Sequence, residues 1–462
     1  MQTRRDHVQS YQFAMGRLAS ALVGGDPGQG DSPTRRSALG TVLGAGVAVL
    51  LCGGFAVAGL LAPPASTAWR KDGAVVVEKE TGNRYVYLDG ELRPARNRAS
   101  ALLIAGGPAA PETVPAEVLA GTPRGVPVGI PDAPDAVPAA AGLLDGAWAR
   151  CLRTDVTGAS APGAAGGGAQ AASAGGGGGG GAGGGAAGGA APVGQTLVFG
   201  PAADVLPGLP AGRAALVAGP DGARHLLVGD TKYAVPADSA LIALGLDDRP
   251  AVAVPADWLA AVPTGAPLAA SAPPGAGAPA GTVAGQSTVT GQLFSTGTGT
   301  DAHHYVQRAD GLAPVGPTEY ALLAALPGAP APRTVTAADL ATAPLSADRG
   351  ALNRLPAVNG LRAPDAGALC LRTEPGGAVR LVLAPLLARP VVLPPGTGVL
   401  ATASAGGTPY LVTEQGARYR VTDGDALRAL GLGDARRALT LPADVLALLP
   451  EGPALGRAAA RR

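Results

Sequence analysis

The 462 residues carry 35 Lys plus Arg against 34 Asp plus Glu, and 72 Gly and 44 Pro against only 3 Trp, 4 Phe and 8 Tyr. The balanced charge excludes the basic footprint of a nucleic-acid binder, and the length exceeds that of one small domain, allowing two or three. With so few aromatics, valine and leucine must build the cores, which suits many small units joined by proline turns better than one large sheet.

Residues 1–36 form the first segment. Within them Val8, Tyr11, Met15, Leu18 and Leu22 recur at spacings of three and four, which places them on one face of an amphipathic helix. That face needs a cover. A protein partner fits better than a lipid surface, because an interfacial helix normally carries more Lys and Arg. GGDPGQGDSP, from Gly24 to Pro33, reads as a hinge.

From Ser37 to Ala62 no ionisable side chain occurs except Cys52. At about 1.5 Å per residue the stretch, as a helix, spans roughly 39 Å, against about 30 Å of hydrocarbon. Residues 37–62 are therefore expected to form one transmembrane helix. The preceding Arg35-Arg36 also resembles a twin-arginine export signal, but the apolar run is longer than a signal core. Arg4, Arg5, Arg17, Arg35 and Arg36 precede the span, so the positive-inside rule favours a cytoplasmic N-terminus and an extracytoplasmic remainder. Gly40, Gly44, Ala48, Cys52 and Ala56 recur every fourth position, a stripe of small residues on which membrane helices approach closely; chance recurrence in a Gly/Ala-rich stretch is the competing reading.

Beyond the span the chain repeats itself. HLLVGDTKYAVPADSALIALGLDD from His225 parallels YLVTEQGARYRVTDGDALRALGLGD from Tyr410, matching Tyr233 to Tyr419 and Leu244-Gly245 to Leu430-Gly431. Val254-Pro255-Ala256-Asp257 likewise matches Leu441-Pro442-Ala443-Asp444. Two divergent copies lie at Val75 to Ile130 and at His304 to Ser346. Each copy reads as strand, glycine turn, strand, short helix and a second helix whose start at Asp257 or Asp444 is expected to be explained by capping. The repeats are assigned to residues 70–130, 223–275, 296–346 and 408–462, the last range including a C-terminal tail.

Between them lie β-rich pieces, residues 131–222 and 360–407, expected to assemble into one centre from two distant segments. The Gly/Ala tract at 158–194 buries no side chain and reads as a flexible loop. With Cys52 inside the span, Cys151 and Cys370 are the remaining cysteines, a pair that an oxidising compartment would join; two unrelated buried thiols are the alternative. Lys71, Lys79 and Lys232 all lack the glycine that precedes the lysine of a P-loop. His303-His304 reads as a solvated turn pair, because strand neighbours point to opposite faces. No catalytic, cofactor-binding or metal-binding residue is assigned, and no cofactor is expected.

Several motifs, in order, resemble the EccB family of type VII (ESX) secretion: RRDHVQSYQF with RLASALVGGDP, the single span, TGNRYVY with LRPARNRASALL, PRGVPVGIPDAPDAVP from Pro123, WARC at Cys151, ALCLR at Cys370, and the four repeats. The resemblance implies an α+β chain with an N-terminal amphipathic helix, one transmembrane helix and an elongated extracytoplasmic domain, whose β-rich central core is flanked by four small αβ repeats. It also implies a core disulfide between Cys151 and Cys370. The implied partners are EccC-, EccD- and EccE-like subunits, membrane lipid and further copies of the chain through the periplasmic domains. The leading functional reading is a structural subunit of a secretion channel. The alternatives are an extracytoplasmic ATPase, an activity attributed to the family, and a peptidoglycan-binding module. The Gly/Ala insertion departs from the family pattern.

Overall fold

The computed structural model describes residues 4–24, 33–61, 67–107, 110–158, 194–297, 299 and 302–462. The expected hinge between Gly24 and Pro33, and the Gly/Ala tract apart from its end residues, lie outside the described residues. The chain divides into two units, Met1–Ala68 and Trp69–Arg462.

The first unit holds two helices, Arg4–Gly24 and Pro33–Leu61. The second is uncharged after its first turn and contains a window, Gly40–Val57, of mean hydropathy 2.0, long and apolar enough to cross a membrane.

The second unit is mixed α and β and rich in sheet. Four of its sheets have four strands and one strand order, in which the third, second and first strands are followed by the fourth. In the first module Val75–Glu78, Arg84–Leu88 and Glu91–Pro94 form an antiparallel meander, and Glu112–Val114 returns parallel to Val75–Glu78. Helix Arg98–Ala105 makes the crossover. A short second helix, Ala116–Leu119, follows the fourth strand. The second, third and fourth modules repeat this plan, starting at Ala214–Ala218, Leu293–Thr296 and Gly398–Ala403. Two of these first strands, Ala214–Ala218 and Gly398–Ala403, were grouped with the centre on sequence. Ala214 to Val217 are all buried, so the strand shows none of the alternation that marks a one-sided strand. His303 and His304 open the strand His303–Arg308; they do not lie in a turn, and His304 stacks on Tyr320 at 4.2 Å between ring centroids.

After each second helix the chain comes back along the third strand. Lys232 N donates to Pro263 O and Gly265 N to Lys232 O, both at 2.8 Å, and Arg418 exchanges the same bonds with Pro450 and Gly452 at 3.0 and 2.9 Å. The glycine is needed because a tyrosine ring lies against it. A Cβ at Gly452 falls 2.6 Å from Tyr419 Cδ1, and one at Gly265 falls 2.7 Å from Tyr233 Cδ1. In the third module, where the returning residue is Ser346, the facing position is Ala313 instead of tyrosine. Gly452→Ala is accordingly expected to cost about 1–3 kcal/mol as an overpacking change. In a Tyr419→Ala background the same change should cost much less, a coupling that thermal unfolding of the four variants reads directly.

A five-stranded sheet forms the centre. Trp148–Asp155 and Gln195–Phe199 come from one segment, Ala368–Thr373, Val379–Ala384 and Val391–Val392 from the other, and Trp148–Asp155 pairs antiparallel with Ala368–Thr373. Packing order differs from chain order. The first and fourth modules share one core through Arg98–Ala105, Gly424–Ala429 and the C-terminal helix Arg457–Ala460. The second and third share another, with Asp238–Leu244 packed on Pro317–Ala324. The fourth and second modules each cover part of the central sheet.

One face is common to all four modules, set by Val76, Val114 and Leu119 in the first and by Val217, Val254 and Leu259 in the second. In the second and fourth modules this face lies on the central sheet. In the third it is covered by Val283 of the hairpin Pro279–Val283/Gln286–Val289, and in the first by Trp69.

Candidate functional site

The central strand Trp148–Asp155 alternates between two faces. Ala149 and Cys151 point into a small core with Val198, Ala203, Val382 and Ala384. Cys151 sits directly opposite Cys370 and is disulfide-bonded to it, with the Cα atoms 4.0 Å apart across 219 residues of sequence. The bond thus staples the two segments of the centre. A second link lies at the end of the strand, where the Asp155 carboxylate accepts from Gly367 N at 2.7 Å and from Thr157 N and Oγ1 at 2.9 and 2.8 Å. Burial by itself raises its pKa, but these donors outweigh that and hold the carboxyl below its ordinary range.

The other face carries Trp148, Arg150 and Leu152. Trp148 packs with Val399, Leu441 and Val445 of the fourth module, and Leu152 with Val217, Val254 and Trp258 of the second. Arg150 lies at the seam between them and is only 3 % exposed. Its Nη1 donates to Asp257 Oδ2 at 3.2 Å and to Asp444 Oδ2 at 3.1 Å, while Nη2 donates to the Asp257 carbonyl at 2.6 Å. Trp258 Nε1 donates back to the Arg150 carbonyl at 3.4 Å. One buried cation therefore grips equivalent carboxylates in two modules.

This corrects the expectation that capping explains Asp257 and Asp444. The N-cap positions are Pro255 and Pro442, and neither helix has a side-chain cap; the only second helix with a capping box among the described residues is in the third module, where Thr336 and Asp339 form it. Proline at the cap leaves each Asp free to reach the central strand. The repeat alignment already paired Asp257 with Asp444, and WARC placed Arg150 beside Cys151, yet neither signal joined the three.

The outer joints are also held by arginine. Arg457 Nε donates to the Leu103 carbonyl at 3.1 Å, near the C-terminus of Arg98–Ala105, where a cation is favourable. Arg354 Nε donates at 3.0 Å to Glu319, a buried carboxylate at the start of Pro317–Ala324. Of the lysines, Lys232 is committed: its Nζ donates to the Leu259 carbonyl at 2.6 Å, and burial lowers its pKa.

In the N-terminal unit Val8, Tyr11, Met15, Leu18 and Leu22 are all exposed, from 51 % at Met15 to 83 % at Leu22. Gly40, Gly44, Ala48, Cys52 and Ala56 are likewise exposed along their helix, and a Cβ on Gly40 or Gly44 meets nothing within 4 Å. Both faces lack cover among the described residues.

The model of the family described as type VII secretion system ESX-1, transport TM domain B, matches residues 1–462. Among curated proteins the chain is 34 % identical over 149 residues to the ESX-1 secretion system ATPase EccB1 of Mycobacterium tuberculosis H37Rv, which is 32 % of this chain and 30 % of that protein. It is 34 % identical over 130 residues to the ESX-5 secretion system ATPase EccB5 of the same strain, 28 % of this chain and 25 % of that one. The matched part thus spans less than a third of these relatives' length. Among solved structures, a chain of the intact ESX-5 inner membrane complex is 24 % identical with a TM-score of 0.54, over 100 % of this chain and 95 % of that one. A chain of the EccB3 dimer from the ESX-3 core complex is 22 % identical with a TM-score of 0.52, over 84 % and 100 %. These similarities to solved structures concern the fold.

Proposed function

The chain belongs to the EccB family of type VII secretion transmembrane components, and from that premise we propose that it is a structural membrane subunit of a secretion channel, bracing the complex on the outer face of the membrane. The observation that carries this reading is the seam at Arg150. Two arms are clamped to one sheet by a buried cation, and the two segments of that sheet are joined by a disulfide, which is the construction of a stiff bracket. The four modules are its four repeats, and the five-stranded sheet is its centre.

The span Ser37 to Ala62 anchors the bracket, with the arginine-bearing N-terminus in the cytoplasm. Val8, Tyr11, Met15, Leu18 and Leu22 then form a docking face for a cytoplasmic protein partner, and the stripe from Gly40 to Ala56 a packing face for a second membrane helix. The partners that fit are the EccC-, EccD- and EccE-like subunits and other copies of this chain.

The test combines assembly and topology. Loss of the chain should prevent a large secretion complex from forming in solubilised membranes, and protease added to intact protoplasts should remove the part after residue 69 while sparing the N-terminal helix. A complex of normal size without the chain defeats the structural role; protection of the large part reverses the orientation.

A further inference from the structure

The two helix joints are built alike but finished differently. Between the first and fourth modules, the chain leaving Leu455 turns into the helix Arg457–Ala460, which lies on the crossover helix Arg98–Ala105 and buries Ala460 completely. Leu268 is the same residue in the second module. Its N donates to the Ala234 carbonyl at 2.8 Å, as Leu455 N does to the Arg420 carbonyl at 2.7 Å, and both leucines are fully buried. The chain leaving Leu268 forms no helix: it runs Ala269-Ala270-Ser271-Ala272 toward the hairpin, and these side chains are too short to fill the space that a helical turn takes in the other joint.

What remains is a groove beside the packed helices Asp238–Leu244 and Pro317–Ala324. One cavity, of about 130 Å³, is lined by Pro236, Ala240, Leu268, Leu322, Leu326 and Pro327. A second, of about 160 Å³, shares Leu326 and Pro327 and continues to Pro273, Gly291 and Leu323. Their floors are the buried Ala240, Leu268, Leu322 and Leu323, whereas Ala237, Ala276, Ala325 and Pro327 on the rims are exposed, so the groove opens to solvent. Among the described residues, no charged side chain and no strand residue lines it. Leu322 is the sixth residue of its eight-residue crossover helix, the position of Leu103, whose carbonyl accepts from Arg457 in the other joint.

We propose that this groove receives an amphipathic helix of a partner protein, which seats two leucine-sized side chains one turn apart in the two cavities. The groove continues an interface already built from helices, and its counterpart in the other joint holds a helix that the chain itself supplies. A cavity of this size takes up a group as large as benzene. Side chains three or four residues apart on a helix stand about 5–6 Å from each other, which suits neighbouring cavities with a common wall. Strand addition is excluded, because no sheet edge borders the groove to pair with an incoming strand. Arginine is not the anchor here. Arg457 Nη2 lies 2.7 Å from where a Cβ on Gly106 would sit, and the third module carries Ala325 at that helix end. The helix Arg457–Ala460 of a second copy does not supply the occupant, because it is packed on its own Arg98–Ala105. The proposal rests on module equivalence, not on the secretion reading.

The test uses the full chain in lipid nanodiscs, free of detergent that would enter the groove, and a fluorescent helical peptide of alanine, glutamine and lysine carrying two leucines four residues apart. Saturable binding is expected, with new hydrogen-exchange protection over residues 268–276 and 321–328. Alanine in place of either leucine should weaken binding about tenfold or more, the scale of one buried leucine side chain. Ala325→Phe and Ala276→Phe, each at an exposed rim position, should block binding at an unchanged melting temperature. No saturable binding, equal binding of the peptide without leucines, or full binding to both Phe variants overturns the proposal. Benzoylphenylalanine in place of Ala325, irradiated in native membranes, then identifies the occupant. Cross-links to the aliphatic face of another protein's helix support the proposal; cross-links that are absent, or confined to lipid or to a second copy of this chain, overturn it.

Discussion

Replacing Asp257 and Asp444 together by asparagine will cost about 3–5 kcal/mol, the penalty for leaving a buried charge unpaired. Arg150 is the buried member of the cluster, with its side chain 4 % exposed, whereas the two carboxylates are 36 % and 44 % exposed. This asymmetry orders the variants. Arg150→Met leaves two carboxylates that water can still reach, so it should cost only about 1–2 kcal/mol, the value of charged hydrogen bonds lost at a half-open site. Either single Asp→Asn change leaves one counter-charge in place and should cost less than half of the double change. The predicted excess in the double variant is measured by a double-mutant cycle on thermal or chemical unfolding of the solubilised chain. Additive single effects, or an Arg150→Met variant worse than the double Asp variant, refute the clamp.

The second large effect belongs to the disulfide. Cys151→Ser or Cys370→Ser opens a loop closed across 219 residues, for which the chain-entropy model gives roughly 5 kcal/mol. That is an upper bound, because the denatured chain keeps some compactness. A lowered melting temperature is expected in either variant. Hydrogen exchange should locate the loosening in Trp148–Asp155 and Ala368–Thr373, since each four-stranded module retains its own hydrogen-bonded sheet. Equal melting temperatures for the oxidised protein and the serine variant would show that the staple does not stabilise the centre.

Much of this architecture was legible in the residues, for identifiable reasons. The tyrosines and Leu-Gly steps that exposed the repetition are packing residues: Tyr233 and Tyr419 lie against Gly265 and Gly452, and Gly245 ends its helix in the left-handed conformation with φ 63°. Such positions tolerate few alternatives, so copies remain recognisable. The cysteine pair was legible because just one other cysteine exists and it lies in the stretch expected to span the membrane. Arg150 was not, because an arginine on a strand normally reads as solvent-facing, and its burial follows only from two modules meeting over it. The module starts at Ala214 and Gly398 were missed for a related reason. Each begins a strand buried on both faces, and such a run looks the same whether it belongs to a flanking sheet or to the middle one. The fourth strands, two or three residues long in each module, are too short to show any period.

The crossing of chain order and packing order sets a timetable for folding. The second and third modules are consecutive, and their shared core, from Ala214 to Val358, needs only chain that is nearby in sequence. The first module must wait for the fourth. Val86, Leu103 and Ile104 find their cover in Tyr419, Leu427 and Leu455, more than three hundred residues later, and closing so long a loop is slow. Until residue 455 has emerged, an apolar helix face stands open in the first module. Newly made chains should therefore be most vulnerable to aggregation and to proteolysis in the first module, at the stage when the second and third are already protected.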